Sequence, residues 1–293
     1  MIEWINNFFG IKNEVSVPTL ISIIVFLSGG FINYLISHLN NYYNRNSTRK
    51  TFYLVIDEIV SDLKIKEKQT FRFYPTIKPE HETGWILPYT SVSYLETLFE
   101  LDFNEIYYSF RKKINWDFCS KKIKNRAFHR IWATLRNLRF FEDKLEKDLE
   151  NMMSRFDIYH KEYGVKLDEY RKYHDRICRE LNGKPIPTSE TQLIKYLKLQ
   201  DNIWVDWQNI EQTKRTAYFI TYNKLVKPQL ELNRLNQNID LTEESNNLLL
   251  ACTYQYIEME NTLDIYQRTF KNYYRNYREG CLILKKCIAI LKT

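Results

Sequence analysis

Turn-forming residues are scarce in this 293-residue chain. Seven glycines and seven prolines are too few for the many tight turns of a sandwich or barrel, so a strand-rich fold is disfavoured from the start. The five cysteines (Cys119, Cys178, Cys252, Cys281 and Cys287) form no CxxC pair and have no histidine at zinc-ligand spacing. That argues against structural zinc and against a disulfide framework, and for reduced thiols used as core residues. No P-loop, GxGxxG, GxSxG or HExxH is present, so no cofactor or metal is expected, and most enzyme families with a short signature lose their support. Neither a repeat of 20–50 residues nor a low-complexity tract appears.

What the chain does contain is a long uncharged run. Val17 to Leu39 reads VPTLISIIVFLSGGFINYLISHL, without one formal charge. At about 1.5 Å per residue it reaches roughly 34 Å, enough to cross a bilayer with some tilt. A cleaved signal peptide needs a cationic leader and a shorter apolar region, whereas Lys12 here stands against Glu3 and Glu14. An uncleaved anchor is therefore expected. Arg45, Arg49 and Lys50 follow it with no acid between Asn40 and Leu54, which places the bulk of the chain in the cytoplasm and the N-terminus outside, in an inner membrane. Ahead of the run, Ile2, Ile5, Phe8 and Phe9 share one helical face, as in a segment lying in the membrane interface. Gly29 and Gly30, with Ser22 one to two turns away, offer a small-residue surface on which two anchors could meet.

Beyond the anchor the periodicity is helical. Phe52, Val55, Ile56, Ile59 and Leu63 recur every three or four residues, extending the membrane helix into a stem that ends near Gln69. Pro75, Pro79, Gly84 and Pro88 then mark a loop, and Ser93 with Glu96 and Asp102 with Glu105 read as capping boxes. From Ile131 to Leu181 the apolar positions take 14 steps over 50 residues, about 3.6 per step, in one helix or two joined at Gly164. NGKPIPTS at 182–189 is a break, Ser189 caps the next helix, and Lys227–Pro228 interrupts it. After Thr242, the positions Cys252, Tyr256, Met259, Leu263, Tyr266, Phe270, Tyr273, Tyr277, Cys281, Leu284, Ile288 and Leu291 form a heptad seam with one insertion beside Gly280. The expected fold class is all-α: an N-terminal single transmembrane helix followed by an elongated cytoplasmic antiparallel helical bundle or coiled-coil hairpin. Its parts are an interfacial segment 1–16, a transmembrane helix 17–39, a juxtamembrane stem 40–70, a loop 71–89 and a helical bundle 90–293.

Chemistry is sparser. Arg155 and His160 fit R-x4-H, which resembles the motif of HEPN ribonucleases, helical domains that dimerise around an RNA phosphate. The resemblance implies His160 as acid or base and Arg155 as stabiliser of the phosphorane. A chain with 17 arginines and five histidines supplies about one such match by chance, and Phe156 and Tyr159 of the same stretch belong to the apolar face. Trp204 and Trp207, three apart, read as core. The charge is concentrated: Arg111 to Arg139 holds ten basic residues and one acid, Asp117, while the whole chain is only +7. Lys121, Lys122, Lys124, Arg126, Arg130, Arg136 and Arg139 are the candidate anion-binding residues, and Lys122, Arg126 and Arg130 at spacing four form one stripe for lipid or RNA phosphate. The alternative is internal pairing with Glu142, Asp143, Glu146, Asp148 and Glu150.

One anchor followed by a Tyr-, Lys-, Asn- and Ile-rich helical part resembles the membrane-anchored effectors and abortive-infection proteins of bacterial anti-phage defence. The resemblance covers the whole chain at the level of architecture. It implies a non-enzymatic effector that oligomerises and acts on the inner membrane when a protein partner or a nucleic-acid or nucleotide signal arrives. The alternatives are a membrane-tethered HEPN-like ribonuclease using Arg155 and His160, and a scaffold that binds a partner, anionic lipid or RNA through 111–139.

Overall fold

The structure, a computed structural model, describes residues 13–81, 85–87, 92–115, 118–181, 191–215 and 217–292. All regular elements among them are helical. In chain order they are α1 (Asn13–Phe73), α2 (Ser93–Glu100), α3 (Phe103–Asn115), α4 (Phe118–Leu181), α5 (Thr191–Gln208), α6 (Gln212–Arg215), α7 (Tyr218–Thr221), α8 (Lys227–Leu235) and α9 (Leu241–Lys292). Two 3₁₀ turns, Tyr74–Thr76 and Pro79–His81, follow α1, and a π turn, Tyr222–Val226, joins α7 to α8.

Proline placement explains the lengths. From Thr19 to Phe73, through all of α4, and through all of α9 there is no proline, and these tracts are the three long helices of 61, 64 and 52 residues. With Pro75 next in the chain the α-helix gives way to the 3₁₀ turn Tyr74–Thr76, so α1 ends at Phe73, four residues beyond the expected Gln69. Asp102 caps α3, its carboxylate accepting the Asn104 N–H at 2.8 Å. α4 runs unbroken past Gly164. The interruption expected at Lys227–Pro228 lies elsewhere: α5 ends at Gln208 and the chain turns at 209–211. Pro228 instead sits in the first turn of α8, where a missing N–H leaves no bond unmade. The interfacial reading of 1–16 falls mainly, and the Ser189 cap wholly, outside the described residues.

The chain divides into two compact units, one of Met1–Val60, Ser93–Ile131 and Lys285–Thr293, the other of Ser61–Val92 and Trp132–Leu284. In the first, Phe52 of α1, Phe110 of α3 and Phe128 of α4 are fully buried and meet ring to ring at 5.5–6.1 Å. The Tyr53 hydroxyl donates to the Leu291 carbonyl at 3.1 Å, which holds the end of α9 on α1, and burial pushes the Tyr53 phenol up to about 12.

In the second unit, partners on α4 and α9 run in opposite numerical order. Glu142 meets Tyr277, Asp148 meets Tyr273, and Tyr173 meets Leu241, with hydroxyl donors at 2.8, 2.7 and 2.6 Å. The ten seam positions of α9 from Cys252 to Leu284 are buried here, and Ile288 and Leu291 are buried in the first unit; Leu138, Leu145, Met152, Tyr163, Leu167 and Tyr170 on the facing side of α4 are buried as well. Lys66 of α1 enters the same core, almost without water, and donates to Glu142. Burial pulls its ammonium below the usual lysine range, and the Glu142 charge partly offsets that. Near the end of α4, Tyr196, Asn233 and Ser245 form a buried hydrogen-bond chain at 2.9 and 2.7 Å.

The glycines of α4 and α9 differ in surroundings. A Cβ at Gly280 would lie 3.1 Å from a Leu138 methyl carbon, so the insertion in the seam coincides with a close approach of α9 to α4. A Cβ at Gly164 would meet nothing within 4 Å. Gly164→Ala is therefore expected to stabilise the protein by about 0.5–1 kcal/mol, and Gly280→Val to destabilise it by about 1–3 kcal/mol. Denaturant midpoints of the two variants in detergent check both signs.

Candidate functional site

One helix among the described residues is long and apolar enough to cross a membrane, and it is α1. From Ser22 to Leu39 every position is exposed on all sides, including Phe26 at 80% and Leu27 at 63%. Gly29 and Gly30 face open space. Exposed Tyr42 and Tyr43 follow, then half-buried Arg45 and Arg49, and from Phe52 onward one stripe of the helix is buried: Phe52, Ile56, Ile59, Leu63, Lys66, Thr70 and Phe73. The same helix thus changes from no buried face to one buried face within about 13 residues.

Helical phase sorts the basic segment. Lys121, Lys122, Arg126 and Arg130 are exposed on α4 in the first unit, and Arg136 and Arg139 are exposed in the second. Lys124 departs from the expectation: it is buried at 7%, because a step of 100° per residue puts it in phase with Ala127, Phe128 and Ile131 on the core side. Its alkyl stem packs there as a hydrocarbon would. Two of the five acids proposed as internal partners are used otherwise, Glu142 by Lys66 and Tyr277, and Asp148 by Lys144 and Tyr273.

Arg155 is exposed on α4, and His160 is half-buried, stacked on Phe156 with ring centroids 5.6 Å apart and edge-on to Tyr218 at 5.8 Å. Five residues along a helix turn the two side chains about 140° apart. Within one chain the pair therefore does not converge on a common point.

Other groupings were not evident in the sequence. Cys178 lies 3.7 Å from His174, a spacing that invites a nucleophile–base reading. Burial raises the thiol, with Asp175 and Asp201 adding to it, and burial lowers the imidazole. Both partners are held neutral, the opposite of what an activated thiolate needs. Trp207 has the guanidinium of Arg171 at 5.1 Å and that of Arg215 at 5.2 Å from its ring centre, while Trp204 stacks on His174 at 4.1 Å. Asp175 lines the same shallow cleft and Asp168 pairs with Arg171, so the arginines there are largely compensated. Among the described residues no group of three or more His, Cys, Asp or Glu could hold a metal ion.

Comparisons with protein-family models, with curated proteins and with solved structures find no match to this chain. The argument for function therefore stands on α1 and on the distribution of charge.

His174 yields a pH test. Its folded-state value lies below the ordinary 6.5, so its contribution to stability is complete above that pH and is lost as pH falls through the folded value. Melting temperature is expected to fall on acidification below about pH 6.5, and His174→Gln to flatten that fall. An unchanged slope in the variant would remove His174 as the cause.

Proposed function

We propose that this chain is a single-pass inner-membrane protein, N-terminus outside and bulk in the cytoplasm, whose anchor and antiparallel helical hairpin assemble with further copies of the chain and act on the membrane without catalysis. The observation that carries the reading is the fully exposed apolar stretch of α1. Ten large apolar side chains from Ile23 to Leu39 have no protein contact that buries them. Left in water they forgo on the order of 15–30 kcal/mol of burial, more than the roughly 5–15 kcal/mol by which a domain is stable. A bilayer removes that deficit, and Tyr42 and Tyr43 then sit where aromatic rings favour the interface. Orientation rests on Arg45, Arg49 and Lys50 against Lys12 alone on the other side.

Assembly is supported by Gly29 and Gly30. Without lipid-facing side chains there, two helices can approach closely and gain dispersion contacts that lipid tails do not supply. Action on the membrane follows the resemblance to anti-phage effectors, in which an oligomer formed on a signal disturbs the bilayer. A ribonuclease would need His160 to leave its stack with Phe156, so that reading has less behind it.

The expected behaviour is resistance to alkaline carbonate extraction, oligomers in mild detergent, and a fall in membrane potential when the triggered chain is expressed. Gly30→Leu should shift the detergent species toward monomer and remove the potential change while leaving the free energy of unfolding within about 1 kcal/mol of the parent. A protein released by carbonate, or monomeric at every concentration in detergent, contradicts the proposal.

A further inference from the structure

The first unit has 15 basic and nine acidic residues, a formal +6, whereas the second has 28 and 27, a formal +1. Nearly all the net charge of the molecule therefore belongs to the unit that carries the apolar half of α1. That charge comes from three distant parts of the chain. Arg45, Arg49 and Lys50 are on α1, just past the apolar stretch. Lys121, Lys122, Arg126 and Arg130 are on α4, all exposed. Lys285, Lys286 and Lys292, near the end of the chain, are exposed on α9.

Three contacts bring these parts to one level of the unit. Phe52 of α1 packs on Phe128 of α4 at 6.1 Å. The Tyr53 hydroxyl reaches the Leu291 carbonyl, and the Lys292 ammonium lies 5.2 Å from the Tyr53 ring and 3.6 Å from Asp57. Arg130 and Lys286 both lower the Cys287 thiol against the burial that raises it, which places both cations near that residue. Counting about 1.5 Å per helical residue, Arg45 and Lys122 each stand roughly 10 Å from that level on the side of the apolar stretch, Lys286 about 8 Å from it on the other side because α9 runs antiparallel to α1, and Leu39 is roughly 20 Å from it along α1. Nine acids share the unit: Glu3, Glu14, Asp57, which Lys292 takes, Glu58, Glu96, Glu100, Asp102, Glu105 and Asp117.

We infer that this collar of lysine and arginine binds the anionic phospholipid headgroups of the leaflet that α1 enters. The inference rests on the membrane reading above and names the partner of the basic residues. A bilayer is favoured over RNA for two reasons on the molecule itself. The collar is continuous, through exposed Tyr42 and Tyr43, with the apolar stretch, so a bilayer that takes α1 presents its headgroups to Arg45 first. The exposed rings beside Arg45, Tyr42 and Tyr43, border the apolar stretch and so fall at the lipid interface, while Phe52, Phe110 and Phe128 are fully buried and offer no face on which a base could stack.

The test uses the full chain reconstituted into vesicles of phosphatidylethanolamine and phosphatidylglycerol, recovered in mild detergent, with retained lipid measured by mass spectrometry. The parent protein is expected to retain phosphatidylglycerol at roughly threefold or more its share in the vesicles, and to lose that enrichment at 1 M salt, where the screening length is about 3 Å. K122E/R126E and, on a different helix, K285E/K286E should each lower the enrichment, with melting temperature showing that both fold. Equal enrichment in the parent and both folded variants overturns the inference. So does co-purifying RNA that follows these charges while the lipid ratio does not. If the parent never enters the vesicles, the membrane reading itself has failed, an outcome distinct from insertion without lipid selection.

Discussion

Lys66 is a cation in a core, and the packing of the second unit is arranged around keeping it satisfied. Its partner Glu142 accepts from Lys66 through one carboxylate oxygen and from the Tyr277 hydroxyl through the other, so single side chains from α1, α4 and α9 meet at one point. An ammonium removed from water without a partner is costly by several kcal/mol, even after relaxation. Sliding any of the three helices by one turn, about 5.4 Å, would take Lys66 away from the Glu142 carboxylate or leave that carboxylate without the Tyr277 hydroxyl. Apolar seams of leucine and tyrosine tolerate such a slip far better, because one hydrophobic contact resembles the next. The ion pair therefore specifies register more than it adds stability, in the way a single polar residue does in a coiled coil. Tyr273 with Asp148 repeats the device one turn further along α9.

With register held there, the proposed membrane reading has α1 serve two solvents with one unbroken helix. Its C-terminal half presents a narrow buried stripe to protein; from Ser22 to Leu39 it presents apolar side chains in every direction and is buried by nothing among the described residues. Backbone hydrogen bonds need no change between the two, since a helix satisfies them internally in either medium. The junction is chemically marked by tyrosine and then by arginine and lysine, the order in which a bilayer changes from hydrocarbon through interface to charged headgroup.

How far the sequence anticipated this depends on how local each signal is. The α9 seam was legible in full because burial on a long helix follows its own period, and every position named from Cys252 to Leu291 is buried. The cap at Asp102 was legible for the same reason. Lys124 was misplaced because counting charge over a segment ignores phase, whereas Ala127, Phe128 and Ile131 show at once which side it faces. Pro228 was read as an interruption because a proline's effect depends on whether it falls in the first turn of a helix, which only the fold decides. Lys66 carried a faint signal, a lysine in phase with Ile59, Leu63 and Phe73, but its partner lies 76 residues away. The clusters around Trp207 and Asn233 join elements separated by dozens of residues and leave no periodic trace.

The central claim is that α1 crosses a bilayer and delivers the basic residues to the cytoplasmic side. Trypsin protection in oriented membrane vesicles tests it most directly. Inverted vesicles should lose the bulk of the chain and retain, within the membrane, an N-terminal fragment ending at Arg45, Arg49 or Lys50, while right-side-out vesicles leave the chain whole apart from cleavage at Lys12. Digestion of the bulk in right-side-out vesicles, or release of the Ser22–Leu39 region into the soluble fraction, would contradict the account.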